Sequence, residues 1–317
     1  MPTASWRIWT ALGLVYVFWG STYLGIRYAV DGNPPLLVAG VRSLVAALVL
    51  SLYVLVRRGP SAFRATRAQW GWTGVIGVLL LTCGNGGVTL AEDGGLPSGL
   101  AALIVACVPL FVAVLRAVAG DRPAPRTVLG VSIGLVGLAV LLLPGSRPAG
   151  VSFGPALTVL GASILWSVGS FGASRVSLPT YPLVTAVGQM AAGGAMLLAL
   201  GLARGERAPH TFHAGAFWAL VYLIVFGSIV AFTAYSWLLG VAPVSQVATY
   251  AYVNPVVAVV LGAAFVGEHL TVSSIVGGLI TVVAVIVVVS QEGRRRPDSA
   301  QAVASSAEVA APRLASS

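Results

Sequence analysis

Ten apolar runs, each close to the twenty or so residues a helix needs to cross a bilayer, constrain this chain more than any other feature. They lie near residues 9–28, 35–56, 70–91, 98–118, 127–143, 153–173, 181–202, 214–238, 244–266 and 271–290. In hydrocarbon every backbone N–H and C=O needs a protein partner, which leaves helices or closed barrel strands. Barrel strands alternate apolar and polar residues over about ten positions, whereas these runs are longer and unbroken. The sequence therefore predicts an all-α integral membrane protein with ten transmembrane helices. Its charged fraction of 9% compares with about 25% in soluble domains. The first run leads into WGSTYLGIR with no small-residue cleavage site, so it reads as a helix and not a removable signal.

The net charge of +9 comes from arginine alone, since the chain has no lysine. With the N-terminus inside, the cytoplasmic loops hold Arg7, Arg57, Arg58, Arg64, Arg67, Arg116, Arg122, Arg126, Arg175, Arg294, Arg295 and Arg296. The outer loops hold Arg27, Arg147, Arg204 and Arg207. Twelve against four places both termini in the cytoplasm of a multi-pass cell-membrane protein. Charge spread through loops in this way is no nucleic-acid face. Cys83 and Cys107 fall within spans and read as small packing residues.

The chain also repeats itself. Trp19 matches Trp166, Pro35 matches Pro182, Arg42 matches Gln189, Pro97 matches Pro243, Pro109 matches Pro255, Gly120 matches Gly267, Asp121 matches Glu268 and Gly130 matches Gly277, all at an offset of 146 or 147. Each repeat holds five helices, an odd number, so the second copy enters the membrane from the opposite side. Such inverted halves are common in secondary transporters, where they exchange conformations around a central site. The expected organisation is a cytoplasmic N-terminus (1–8), a first five-helix repeat (9–143), an outer linker (144–152), a second five-helix repeat (153–290) and a disordered cytoplasmic tail (291–317).

FWGSTYLGIRYAV followed by PPLLVAGVR, GNGGVTLAEDGGLPSGLAALIVACVPLF, and AYSWLLGVAPVSQVATYAYVNPVVAVVLG followed by GEHLT carry a family resemblance. Over residues 8–290 the chain resembles the EamA-type branch of the drug/metabolite transporter superfamily. The resemblance implies ten helices in two inverted halves and export of amino acids, other metabolites or drugs.

Candidate site residues follow from polarity at membrane depth. Arg42 lies seven residues past Pro35, where a buried charge costs about 2.5–3.5 kcal/mol on insertion scales. It snorkels to the headgroups, pairs with Glu92 or Asp93, or faces a central cavity and binds an anionic substrate group, for which its planar fork is suited. Gln189 occupies the same place in the second repeat. Glu92 is a candidate for proton coupling or a helix cap in water, and Glu268 reads as an interfacial helix-starting cap. Pro109 and Pro255 remove a backbone bond at corresponding points of helices four and nine, which marks hinges or packing kinks. Trp19, Trp166, Tyr235, Trp237, Tyr250 and Tyr252 are candidates for stacking or for the interfacial belt. Of these, Trp19, Trp166 and Tyr250, with the polar Asn85 and Asn254, join Arg42 and Gln189 as the expected substrate-binding set.

The reading is a secondary transporter exporting a small organic metabolite, amino acid-like or drug-like, by alternating access. Its partners are the lipid bilayer and a small-molecule substrate, with protons as a candidate coupling ion and no nucleic acid. An uncoupled channel or an importer of the same substrates is the alternative. No enzyme chemistry, cofactor or metal is expected: His210, His213 and His269 lie in loops, no two carboxylates share the spans, and there is no phosphate-binding GKS or GKT sequence.

Overall fold

The computed structural model describes residues 5–120, 124–142, 152–207, 213–242, 247, 249–269 and 271–287, and among these it contains helices and no strands. Residue Asp121, most of the linker and the C-terminal tail lie outside the described residues. In chain order the helices are α1 (Ser5–Ala29), α2 (Pro35–Arg58), α3 (Arg67–Asp93), α4 (Ser98–Val118), α5 (Pro125–Leu142), α6 (Phe153–Ala173), α7 (Pro182–Ala203), α8 (Ala214–Leu238), α9 (Tyr250–Val266) and α10 (Val272–Val287). Among the described residues six of them, α2, α3, α4, α6, α7 and α8, are long and apolar enough to cross a membrane. The stretches 125–140 in α5, 253–266 in α9 and 272–287 in α10 are shorter apolar helices. The fold is that of a multi-pass membrane protein.

Local signals fix the helix starts. Thr66 and Gln69 form a reciprocal capping box at the head of α3, which satisfies two backbone donors the helix cannot. Pro35 and Pro182 open α2 and α7, where a missing N–H costs nothing. The next donors of α2, the Leu36 and Leu37 N–H groups, go to the Glu206 carboxylate at 2.9–3.3 Å. At α4 the Ser98 and Gly99 N–H groups and the Ser98 hydroxyl go to Glu268. Glu268 thus caps α4, far away in sequence, and not the start of the helix that follows it.

These contacts also set direction. The end of α7 meets the start of α2, with Gly40 against Leu198 and Gly194 and Gly201 against Leu36 and Leu37. The two helices therefore run antiparallel. The end of α9 meets the start of α4 in the same sense. Both pairs occupy corresponding positions of the sequence repeat.

Two helices carry π-helical turns, Val78–Asn85 within α3 and Leu223–Phe232 within α8. Shifted by the repeat offset of 147, the first falls on 225–232, inside the second. Helix α4 is interrupted at Ala106 and Cys107, and Pro109 sits in the first turn of its second part, Val108–Val118. Helix α9 runs through Pro255 without a break. The two aligned prolines therefore have different local structures.

Helices α3 and α7 cross where Gly77 faces the Gln189 backbone, and a Cβ on Gly77 would stand 2.4 Å from the Gln189 carbonyl oxygen. Backbone cannot step aside as a side chain can. Gly77→Ala is expected to lower stability in detergent by about 1–3 kcal/mol, the usual cost of overpacking. Gly74→Ala, whose Cβ would meet only Ala192 at 3.8 Å, should leave stability equal or slightly higher through better helix propensity. Thermal unfolding of the two variants side by side checks this.

Candidate functional site

The two π-helical turns face a common space. A central cavity, with about 810 Å³ of atom-free space including that continuous with solvent, is lined by Leu81, Gly84 and Asn85 from α3 and by Gly227, Ser228 and Phe232 from α8. A π turn shifts the helix register and opens backbone carbonyls, a feature frequent at functional sites. Here the Gly227 carbonyl accepts the Trp19 indole N–H at 3.2 Å. Further walls come from α1 (Trp19, Thr22, Tyr23), α2 (Arg42, Ser43), α6 (Ser163, Trp166), α7 (Met190) and α9 (Tyr250, Asn254).

The lining respects the repeat. Trp19 and Trp166, Ser43 and Met190, Leu81 and Ser228, and Asn85 and Phe232 are pairs at an offset of 147, and Val108 and Asn254 a pair at 146. Both members of each pair line the cavity. Corresponding positions of the two halves thus meet across one space.

Arg42 is 6% exposed, and its Nε donates to the Ser228 hydroxyl at 2.8 Å. The guanidinium lies against Gly227, where a Cβ would come within 2.8 Å of Nη2, so glycine there leaves it room. The Arg42 side chain is thus held inside the helix bundle. The arginine that reaches Glu92 is Arg27, which donates to the Glu92 backbone carbonyl at 2.8 Å.

A cluster of four aromatic rings centres on Trp19, which bonds the same Gly227 that the guanidinium lies against. The Trp19 ring lies edge-on to Trp166 at 5.9 Å and to Tyr250 at 5.3 Å, and tilted against Tyr235 at 4.8 Å. These are separations at which aromatic pairs attract beyond their area burial.

The profile of the EamA-like transporter family matches residues 6–143 and again residues 154–290. The chain belongs to the EamA-like transporter family. It is 40% identical over 263 residues to the "Uncharacterized inner membrane transporter YedA" of Escherichia coli, covering 82% of this chain and 83% of that one. It is 27% identical over 300 residues to the "Probable terminal-alkyne amino-acid exporter" of Streptantibioticus cattleyicolor, covering 92% and 96%. One solved crystal structure superposes with a TM-score of 0.64 at 20% identity, over 92% of this chain and 97% of that one, a likeness of fold. The protein is thus a membrane transporter of the cell membrane, in a family of transporters.

Within this EamA-like protein the expected residues divide. Trp19, Arg42, Asn85, Trp166, Tyr250 and Asn254 all line the cavity, and Gln189 does not. Although Gln189 is buried, its backbone packs on Gly77 of α3, and the next residue, Met190, takes the lining position. Glu92 is 0% exposed, and neither carboxylate oxygen has a hydrogen-bond partner. A helix cap in water is therefore ruled out for it, and it lies outside the lining. Pro109 and Pro255 adjoin the lining residues Val108 and Asn254. Trp237 packs against the apolar core and does not line the cavity, and the Tyr252 side chain lies outside what is described. Sequence reasoning missed Ser228, the hydroxyl that holds Arg42. The signal was small: the pair Gly227–Ser228 interrupting LIVFGSIVAF.

Ser228→Ala removes the acceptor of a buried guanidinium N–H. Hydrogen bonds to charged groups are worth about 1.5–3 kcal/mol, and a loss of that order is expected in detergent unfolding. Ser51→Ala, whose hydroxyl only bonds back to the Ala47 carbonyl, should change stability little.

Proposed function

We propose that this EamA-like protein is a secondary exporter of a small organic metabolite, working by alternating access between two inverted five-helix halves, residues 9–143 and 153–290. The observation that carries the reading is the cavity lined by pairs of equivalent residues. Two halves that share a site can trade conformations around it, which is what alternating access requires. The antiparallel α2–α7 and α4–α9 pairs support inversion. Ten spanning helices and cytoplasmic termini rest on the apolar runs and on the arginine excess.

Glu206 and Glu268 both follow helices of the second half, and each holds the N-terminus of a first-half helix on one face of the protein. That face is the outer one if the termini are cytoplasmic. Each carboxylate sits over a glycine, Gly201 or Gly262, where a Cβ would approach to 3.0 or 2.6 Å. We read these as latches of an outward-closed state, an arrangement that favours a gated transporter over an open channel.

Within the cavity Arg42 is the anchor for a substrate anion. Trp19, Trp166 and Tyr250 hold its apolar body, and Asn85 and Asn254 present polar edges. Glu92, buried without a donor, is the candidate for proton coupling, because losing or gaining a proton there changes the cost of burial sharply. Pro109, at the break in α4, and Pro255, in unbroken α9, are the candidate hinges.

Cells overproducing wild type, Arg42→Gln or no transporter, at matched expression, should differ in spent medium. A metabolite bearing a carboxylate is expected to accumulate outside only with wild type, and to fall at least tenfold with Arg42→Gln. Equal accumulation with all three would reject export. Equal accumulation with wild type and Arg42→Gln would retain export and remove Arg42 from the binding role. In proteoliposomes, Glu92→Gln should abolish the stimulation of flux by a pH gradient while leaving counterflow exchange, if protons couple at Glu92.

A further inference from the structure

We infer that the cavity selects hydrophobic organic monoanions, carboxylates with an apolar body, over zwitterions and amines of the same shape. The inference rests on the transporter reading and names the substrate class for that same cavity.

Charge is the first ground. Among the described residues that line the cavity, Arg42 alone is charged, and no carboxylate stands there. A substrate ammonium would meet a buried cation with no carboxylate among the lining residues. Like charges a few ångströms apart, away from bulk water, repel strongly.

The second ground is the state of the guanidinium itself. It has five donors in a planar fork, and a single hydroxyl, that of Ser228, accepts from its Nε. Among the described residues no carboxylate forms an ion pair with it. A buried cation held by one neutral acceptor is incomplete, and a carboxylate entering the cavity can take the remaining fork bidentately. Gly227 adds no side chain on the side where Nη2 packs against α8.

The third ground is the remainder of the wall. Trp19, Trp166 and Tyr250 lie with Ile26, Leu81 and Val88 around the same space, so the body of the ligand meets rings and aliphatic groups. One arginine compensates one negative charge, which points to monoanions over dianions. Aromatic faces also attract cations, so an amine is the natural rival. The fixed positive charge of Arg42 opposes it.

Three probes share a phenyl ring and differ in charge: 3-phenylpropanoate (anion), L-phenylalanine (zwitterion) and phenethylamine (cation). Their affinities for the full-length protein in detergent are measured by calorimetric titration, and their exchange by counterflow in proteoliposomes. We expect 3-phenylpropanoate to bind at least tenfold more tightly than the other two. Arg42→Gln should erase that preference, and Arg42→Lys should keep part of it. If Arg42→Gln fails to fold, the ranking of the three probes on wild type still decides. Tighter or equal binding of phenylalanine or phenethylamine, or no binding of 3-phenylpropanoate, overturns the inference. The two readings separate cleanly. Anion-selective binding without counterflow would reject transport and keep the anion site, whereas counterflow that favours phenylalanine or phenethylamine would keep transport and reject the anion site.

Discussion

A helix in hydrocarbon can satisfy its own middle but never its ends, and this structure depends on how those ends are satisfied. The first N–H groups of α2 and α4 are taken by Glu206 and Glu268, each of which follows a helix of the other half. The need for capping thus becomes a contact between halves. It brings α2 against α7 and α4 against α9, head to tail. With these pairs, α1, α3, α6 and α8 enclose a space whose walls come from both halves.

The same constraint explains why the cavity is where it is. Two π-helical turns, at matching places in α3 and α8, widen the backbone in the middle of the bundle, and six lining residues come from them. An irregular backbone at this depth is tolerable only where it lines a cavity or is buried in protein. Trp19 fixes one such turn by donating to the Gly227 carbonyl, and Ser228, the next residue, holds Arg42. A freed backbone, a buried cation and an aromatic cluster are thus joined through two adjacent residues of α8.

Much of this was legible in the sequence. The apolar runs predict nine of the helices to within a few residues, whereas among the described residues α9 starts at Tyr250, about six residues after its run begins. Periodic landmarks such as Trp19 with Trp166 predict which side chains converge. Arg42 was legible as an anomaly, because a charge in such a run needs a partner. What could not be read was the partner. Ser228 aligns with Leu81 in the repeat, so symmetry gave no hint of a polar group there. Gln189 shows the limit of the same argument: it aligns with Arg42, yet close approach of Gly77 turns it into the α3–α7 contact. The π turns left no mark, since hydrophobic pattern alone does not separate them from α-helix. Glu206 lies in an ordinary polar loop, and only the fold shows it reaching 170 residues back to α2.

The account turns on whether the face closed by Glu206 and Glu268 opens. Spin labels at Asp31→Cys and Arg204→Cys, exposed positions on that face, report the distance between the halves once Cys83 and Cys107 are replaced by alanine. In bilayers the account predicts two distance populations. The longer should grow when Glu206→Gln and Glu268→Gln weaken the caps. A single distance, unmoved by both substitutions and by any transported substrate, would contradict alternating access at this cavity.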